Sequence, residues 1–538
     1  MSMMEGVRSN TALLLLLACL PLTCSFAPPS SLGIRKGKLF KHEVSRRKNL
    51  ALSCSSVAQD HDSVIASERA YITGVFQPAL LSIKNGRIES INKTSCLEIE
   101  RLRKAGASEG TLVLQPNQLL LPAMVNGHTH LAMGAFRGIT DAESFKGNVV
   151  EDLFFKLEGA LTEDDVRAFT RMGCWESMLA GVGAAWEHYY FGEALASAFA
   201  DTGFSGVIAP TIQDLSGPGT VLKGCDWEAA IETTIRMHRD ESLQRKGIFA
   251  ALGPHATDTI SPSLWRKIAS TAQQEQLPMH SHVAQSIEEY RRCIDRHGCS
   301  PVKFLQQQGV LDADVSMLLV HSMFVSSRDL AFLDPGRHML GLCPASAVQF
   351  GFPCNFQAWD AAGFKIALGT DAACSNDGMN VQQEMRLLAG GGVFGVMSSP
   401  EMQKFEKEGE GAEAVQQARQ RLFDGSSMSS LRKLFSTVSS NAGQMHPHVK
   451  MGELREGSLG NLLIVDGDHP NLWPSTAPLR TVCYANLSPC IQGLMVAGRW
   501  IGEVGNFQES ILSSSTFKEQ RKEAEERLDC LLRSLNLV

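Results

Sequence analysis

Leu119-Leu120-Leu121-Pro122-Ala123-Met124-Val125-Asn126-Gly127-His128-Thr129-His130 is the stretch on which the fold turns. Its apolar portion reads as a fully buried strand that feeds two histidines spaced by one residue. On a strand, residues i and i+2 point to the same face, so both imidazoles can reach one ion. Alone, the pair is a weak signal, because histidines so spaced also arise in loops.

Three further stretches share the design. Leu277-Pro278-Met279-His280-Ser281 leads to His282, Ser316-Met317-Leu318-Leu319-Val320 to His321, and Phe364-Lys365-Ile366-Ala367-Leu368-Gly369-Thr370 to Asp371. Singly, each group reads as a hydrogen-bonded histidine or a helix-capping aspartate. Jointly they read otherwise, since polar groups at the carboxyl ends of several strands are costly to bury without a shared task. Imidazole nitrogens with one carboxylate suit a hydrolytic zinc or iron ion.

Eight strands are expected near residues 119–126, 181–188, 205–212, 247–253, 277–282, 316–321, 338–343 and 364–371. Helical patterns separate most of them, for example at 163–179 and 263–274. Alternation of strand and helix implies parallel strands, and eight units imply an α/β fold of the (β/α)8 TIM-like barrel type. Outside it, Leu80-Leu81-Ser82-Ile83-Lys84-Asn85-Gly86-Arg87-Ile88-Glu89-Ser90-Ile91 reads as a hairpin turning at Asn-Gly. Further strands are expected at 462–466 and 494–501. The stretch 398–411 is charged and reads as a solvated surface loop. The tail 516–536 opens on Thr516-x-x-Glu519, a capping box, and reads as a helix.

In these motifs the chain resembles the metal-dependent amidohydrolase superfamily, in the branch of cytosine, guanine and S-adenosylhomocysteine/methylthioadenosine deaminases and triazine hydrolases. The resemblance covers residues 68 to 508 and rests also on Phe136-Arg137-Gly138, His282-Val283-Ala284-Gln285, Val320-His321-Ser322 and the segment 452–466. It implies that the N- and C-terminal pieces pair as a small β-sandwich. The expected layout is then a presequence (1–58), an N-terminal sandwich segment (68–118), the barrel (119–449), a C-terminal sandwich segment (450–512) and a final helix (513–538). It implies that His128, His130, His282 and Asp371 bind one divalent metal ion, zinc before iron, with His321 just outside the coordination shell. A second metal would need a carbamylated lysine at the end of the fourth strand, where the chain has Pro254-His255. Asp371, His321 and Gln285 are the expected catalytic groups, and His255, Arg137 and His188 the expected substrate contacts.

One position departs from the branch. Its deaminases carry glutamate three residues after the third histidine ligand, and this chain carries Gln285. An amide donates and accepts hydrogen bonds but does not transfer a proton at neutral pH. The resemblance therefore implies a metal-dependent hydrolase of carbon–nitrogen bonds, an aminohydrolase of a small nitrogen heterocycle. Hydrolysis of a cyclic amide or of a non-amino ring substituent is the alternative, and a non-catalytic metal-binding barrel the remote one. The other zinc deaminase architecture needs Pro-Cys-x-x-Cys, which neither Pro353-Cys354 nor Pro489-Cys490 completes.

Composition bounds the rest. Hydrophobic residues make 44% and charged residues 20% of 538, enough for a large core, and the formal net charge is −7. No basic stripe runs through the body, which argues against a nucleic-acid polymer as partner. Residues 11–24 form a short apolar run, and Arg35, Lys36, Lys38, Lys41, Arg46, Arg47 and Lys48 follow against the single acid Glu43. A signal-peptide core ahead of a basic, serine-rich segment resembles the bipartite presequence of algae with complex plastids; secretion is the alternative. No stable membrane insertion is expected once this leader is removed. Three of the 14 cysteines fall in the leader, leaving 11 without framework spacing, which suits a reducing compartment. Assembly into a homo-oligomer stays open.

Overall fold

The computed structural model describes residues 62–106, 108–139, 150–351, 356–397, 400–409, 411–417 and 430–535. The expected leader 1–58, residues 398–399 and 410, and the last three residues of the tail lie outside them.

The described residues open with β1 (Ser63–Ile72), β2 (Val75–Lys84), β3 (Arg87–Lys93), β4 (Thr111–Val113) and β5 (Gln118–Pro122). The expected hairpin is β2–β3. Asn85 and Gly86 take φ of 48° and 73°, the two left-handed positions that a type I′ turn requires.

A second set of strands follows: β6 (Met124–His130), β7 (Val182–Tyr189), β8 (Ser205–Ile212), β9 (Ile248–Ala250), β10 (Gly253–Pro254), β11 (Met279–Val283), β12 (Met317–His321), β13 (His338–Leu342), β14 (Ile366–Leu368) and β15 (Asp371–Ala372). All ladders among them are parallel. β6 pairs with β7, β7 with β8, β8 with β9 and β10, and β11 through β14 in order. A parallel bridge joins Leu252 to Met279, and β15 pairs with β6 at Asp371↔Thr129. The strands are almost wholly buried, as parallel strands covered by helices must be. The fold is therefore α/β and TIM-barrel-like. Helix Glu163–Leu179 falls where its periodicity placed it, opened by a Thr162/Asp165 capping box, and the expected 263–274 helix is Pro262–Glu275.

The last strands are β16 (Leu462–Asp466), β17 (Ile491–Val496) and β18 (Arg499–Ile501). β16 pairs antiparallel with β5, so the N- and C-terminal segments join in one eight-stranded sheet.

Three expectations are corrected. The run 119–126 is not one barrel strand. Leu119–Pro122 belongs to β5 in the outer sheet, Leu121 facing Leu463, and the inner strand starts at Met124. Pro122 has no N–H, which suits the end of one strand better than the middle of a longer one. The charged stretch expected as a loop contains the helix Pro400–Glu408. Proline at the first helical position, good helix formers after it and a Lys404–Glu408 pair at 3.7 Å outweigh its surface polarity. The C-terminal helix is Ser515–Ser534, and its cap is Ser514, which accepts from Phe517 N, not Thr516. That helix packs on Glu163–Leu179. Phe517, Ala524 and Leu531 are buried, Arg527 bonds Asp165 at 3.1 Å, and Trp175 Nε1 donates to Gln520 at 2.7 Å.

Candidate metal centre

The carboxyl ends of β6, β11 and β12 and the start of β15 converge, and each carries one or two of the groups singled out above. His128 and His130 close β6, His282 lies in β11, His321 ends β12 and Asp371 opens β15. The close approach of β15 to β6 depends on Gly369, where a Cβ would meet the His128 backbone oxygen at 2.5 Å. His321 and Asp371 both sit at positive φ, 68° and 58°. Strained backbone of this kind concentrates at functional sites.

The donor atoms face one another. Asp371 Oδ1 lies 3.5 Å from His128 Nε2 and 3.5 Å from His130 Nε2. His282 Nε2 is 3.3 Å from His130 Nε2. Two sets, His128/His282/His321 and His128/His130/Asp371, each bring three donors within 4.8 Å of one another. His128 joins the two.

The far nitrogens of the same rings are tied back. His282 Nδ1 donates to the His255 carbonyl at 2.9 Å, and His130 Nδ1 to the His188 carbonyl. Those bonds put the proton on Nδ1 and leave the Nε2 lone pair facing inward. His128 Nδ1 meets His280 Nε2 at 2.8 Å, while His128 Nε2 and His321 Nε2 are buried without a hydrogen-bond partner. Burial, with the neighbouring imidazoles, holds His128 and His282 far below the usual histidine pKa. Burial also lowers His130 and His321, against the pull of the Asp371 carboxylate. Neutral, inward-facing, oriented imidazoles and a carboxylate are the donor chemistry of a zinc-like ion, so the residues present fit one. Asp371 Oδ2 is held separately, by Ser346 at 2.8 Å and Ser375 at 3.2 Å.

A pocket open to solvent lies over these donors. His130, His282 and Asp371 contribute to its floor, with His255, His188 and Gln285 around them and Phe155, Tyr189, Tyr190 and Phe350 as walls. The His255 ring is held by Thr259 at 3.0 Å, and that of His188 by the Gly253 carbonyl at 3.1 Å. Gln285 reaches the pocket from the turn after β11. Arg137 is placed otherwise: its guanidinium bonds Glu176 at 2.6 Å, and it is not among the described lining residues.

Several residues at the site escaped sequence reasoning. His280 backs His128, and its spacing of two from His282 is the same signal that singled out His128 and His130. Glu158 lines the pocket, 5% exposed, and burial pushes its carboxyl up to about 8. Glu289 collects the amides of Ala284 and Gln285; burial, ahead of the nearby Asp258 carboxylate, pushes it up to about 7 against those donors.

The sequence model of the amidohydrolase family matches residues 119–501. A 5′-deoxyadenosine deaminase of Methanopyrus kandleri is 24% identical over 443 residues, covering 81% of this chain and 93% of that protein. A 5-methylthioadenosine/S-adenosylhomocysteine deaminase of Aquifex aeolicus is 26% identical over 425 residues, 79% of this chain and 88% of that one. Among solved structures, the zinc complex of atrazine chlorohydrolase from Arthrobacter aurescens TC1 superposes with a TM-score of 0.67 at 17% identity, over 86% of this chain and 99% of that one.

Proposed function

Because the chain belongs to the amidohydrolase family, we propose that it is a mononuclear aminohydrolase that releases ammonia from a nitrogen heterocycle. His128, His130, His282 and Asp371 would hold one ion, zinc ahead of iron. The observation that carries this reading is the convergence of inward-facing imidazoles on Asp371 Oδ1, two of them 3.5 Å away, with the buried His128 Nε2 left unpartnered. A divalent cation, when bound, brings the pKa of a water from about 15.7 toward about 7.

The chain's own groups supply the rest. Asp371 takes a proton at Oδ1 and delivers it to the leaving amine, while Ser346 and Ser375 fix its other oxygen. His321, kept neutral by burial, hydrogen-bonds the oxygen on which charge develops. Gln285 orients the ring edge by donating and accepting, without transferring a proton. His255, His188 and the aromatic walls suit a flat substrate and exclude water around it. The names of the relatives point the same way: 5′-deoxyadenosine, methylthioadenosine and atrazine all carry a nitrogen heterocycle.

We also read the inner strands as a closed (β/α)8 barrel, on the strength of the Leu252–Met279 bridge and the β15–β6 pairing. The outer sheet is read as a small sandwich, because Ile65, Leu81, Leu120, Leu462 and Met495 share one buried cluster.

A second reading, hydrolysis of a non-amino substituent, is favoured by Gln285 and by the likeness to a chlorohydrolase. The test is one screen of the purified, zinc-supplied chain over aminated and chlorinated purines, pyrimidines and triazines. Stoichiometric ammonia supports the first reading and chloride the second; turnover of none would remove both.

A further inference from the structure

Gln285 and His255 reach the pocket from two different loops, one after β11 and one after β10. A buried carboxylate bonds both of them. Glu289 stands at the third position of the helix Ile287–His297, whose cap is Ser286, and is 3% exposed. Its Oε1 accepts from Thr257 Oγ1 at 2.5 Å, Thr257 N at 3.4 Å and Ala284 N at 3.1 Å. Its Oε2 accepts from Gln285 N at 2.7 Å. The nearby cation Arg292 bonds Asp258 at 3.0 Å and Glu151 at 2.5 Å. A buried acid satisfied by loop amides, not by a cation, has a geometric task, since its burial is costly.

The bonds close a circuit. Thr257 lies two residues after His255, whose carbonyl accepts both His282 Nδ1 at 2.9 Å and His282 N at 3.0 Å. Ala284, two residues after His282, holds φ of 53°, a left-handed conformation unfavourable for alanine. The carboxylate grips the amide of that strained residue and the amide of the next, Gln285.

We propose that Glu289 is a positioning residue, which locks the loop of His255 to the loop of Gln285 and thereby sets where the substrate ring lies. The proposal rests on the functional reading above for its kinetic consequence. Its structural consequence stands apart from that reading.

The experiment compares the full-length, zinc-loaded chain with Glu289→Gln, which keeps one acceptor oxygen, and Glu289→Ala, with the exposed neighbour Glu288→Gln as control. Readouts are kcat and KM separately, bound zinc, and hydrogen exchange of the Thr257, Ala284 and Gln285 amides against those of β12. The expected result is zinc retained and β12 protection unchanged, with the three amides exchanging at least roughly tenfold faster, while kcat/KM falls roughly 10–100-fold, more in Ala than in Gln, and Glu288→Gln behaves as wild type. Wild-type kinetics and wild-type exchange in both Glu289 variants overturn the proposal. Should Glu289→Ala not fold, Thr257→Val removes only the hydroxyl donor, and its failure to speed exchange at Ala284 and Gln285 counts against the proposal equally. A wild-type chain that turns over nothing defeats the functional reading alone, while the exchange measurement still decides about Glu289.

Discussion

Asn126 and Thr370 clasp each other across the seam where the first and last inner strands meet. The Asn126 amide donates to Thr370 Oγ1 at 2.8 Å, and its carbonyl oxygen accepts the Thr370 N–H at 3.1 Å. His128 follows Asn126 by two residues and Asp371 follows Thr370 by one, so this reciprocal pair ties the segment of that histidine to the segment of the acid. Both partners are fully buried, which makes each bond costly to lose.

Replacing Asn126 by Ala therefore costs about 1–3 kcal/mol of stability, since Thr370 is left with an unsatisfied buried amide. Thr370→Val costs less. In a double-mutant cycle by chemical denaturation the two changes are non-additive by about 0.5 kcal/mol or more. Strict additivity would mean that the clasp does not couple the two strands.

Gln285→Glu puts a carboxyl at a position that lines the pocket. The variant gains a proton donor, so kcat on aminated heterocycles rises and acquires a new inflection above which it falls as the pH climbs and the carboxyl ionises. Gln285→Ala loses orientation and slows. A rate and substrate profile unchanged in both variants would show that position 285 does not touch the substrate.

Glu158 gives a pH dependence of stability. Burial raises its carboxyl from the usual 4.5 to about 8, so the folded state holds a proton that the unfolded chain releases. Its favourable contribution is complete below about 4.5 and is lost as the pH climbs through about 8. At about 1.4 kcal/mol per unit, the loss between those limits is on the order of a few kcal/mol. Thermal denaturation from pH 5 to 9 shows this alkaline fall in wild type, and Glu158→Gln flattens it. Parallel curves would contradict the assignment.

With an ion held at the proposed site, chelation would leave several neutral, inward-facing imidazoles with no partner. At a free zinc concentration about 100 times the dissociation constant, binding adds about 2.7 kcal/mol to stability. The melting temperature falls on treatment with a chelator and recovers on adding zinc. A melting temperature indifferent to both would argue against a specific site.

The sequence announced most of the scaffold through its buried runs. The inner strands stand within a few residues of their expected positions because an apolar run ending in a polar group has few other places to go. Where it misled, the local signal was ambiguous. Leu119 to Asn126 is one apolar stretch in composition, and only the pairing of Leu121 with Leu463, far along the chain, shows that it is two strands. Pro400–Glu408 hid as a helix because exposed helices and exposed loops are polar alike.

The site was legible where side chains announce chemistry and illegible where backbone does the holding. His128, His130, His282, His321 and Asp371 meet because histidine and aspartate at strand ends are rare without cause. Glu289 could not be found that way, since three of its four bonds go to main-chain N–H groups. Arg137, inside the motif Phe136-Arg137-Gly138, bonds Glu176 at 2.6 Å.

The central claim is that these donors share one cation, and metal analysis of the purified, zinc-supplied chain tests it most directly. The account predicts one equivalent of zinc in wild type, and substantial loss of it in His128→Ala, His282→Ala and Asp371→Ala under the same conditions. A wild-type chain that binds no zinc, or variants that keep the full equivalent, would contradict it.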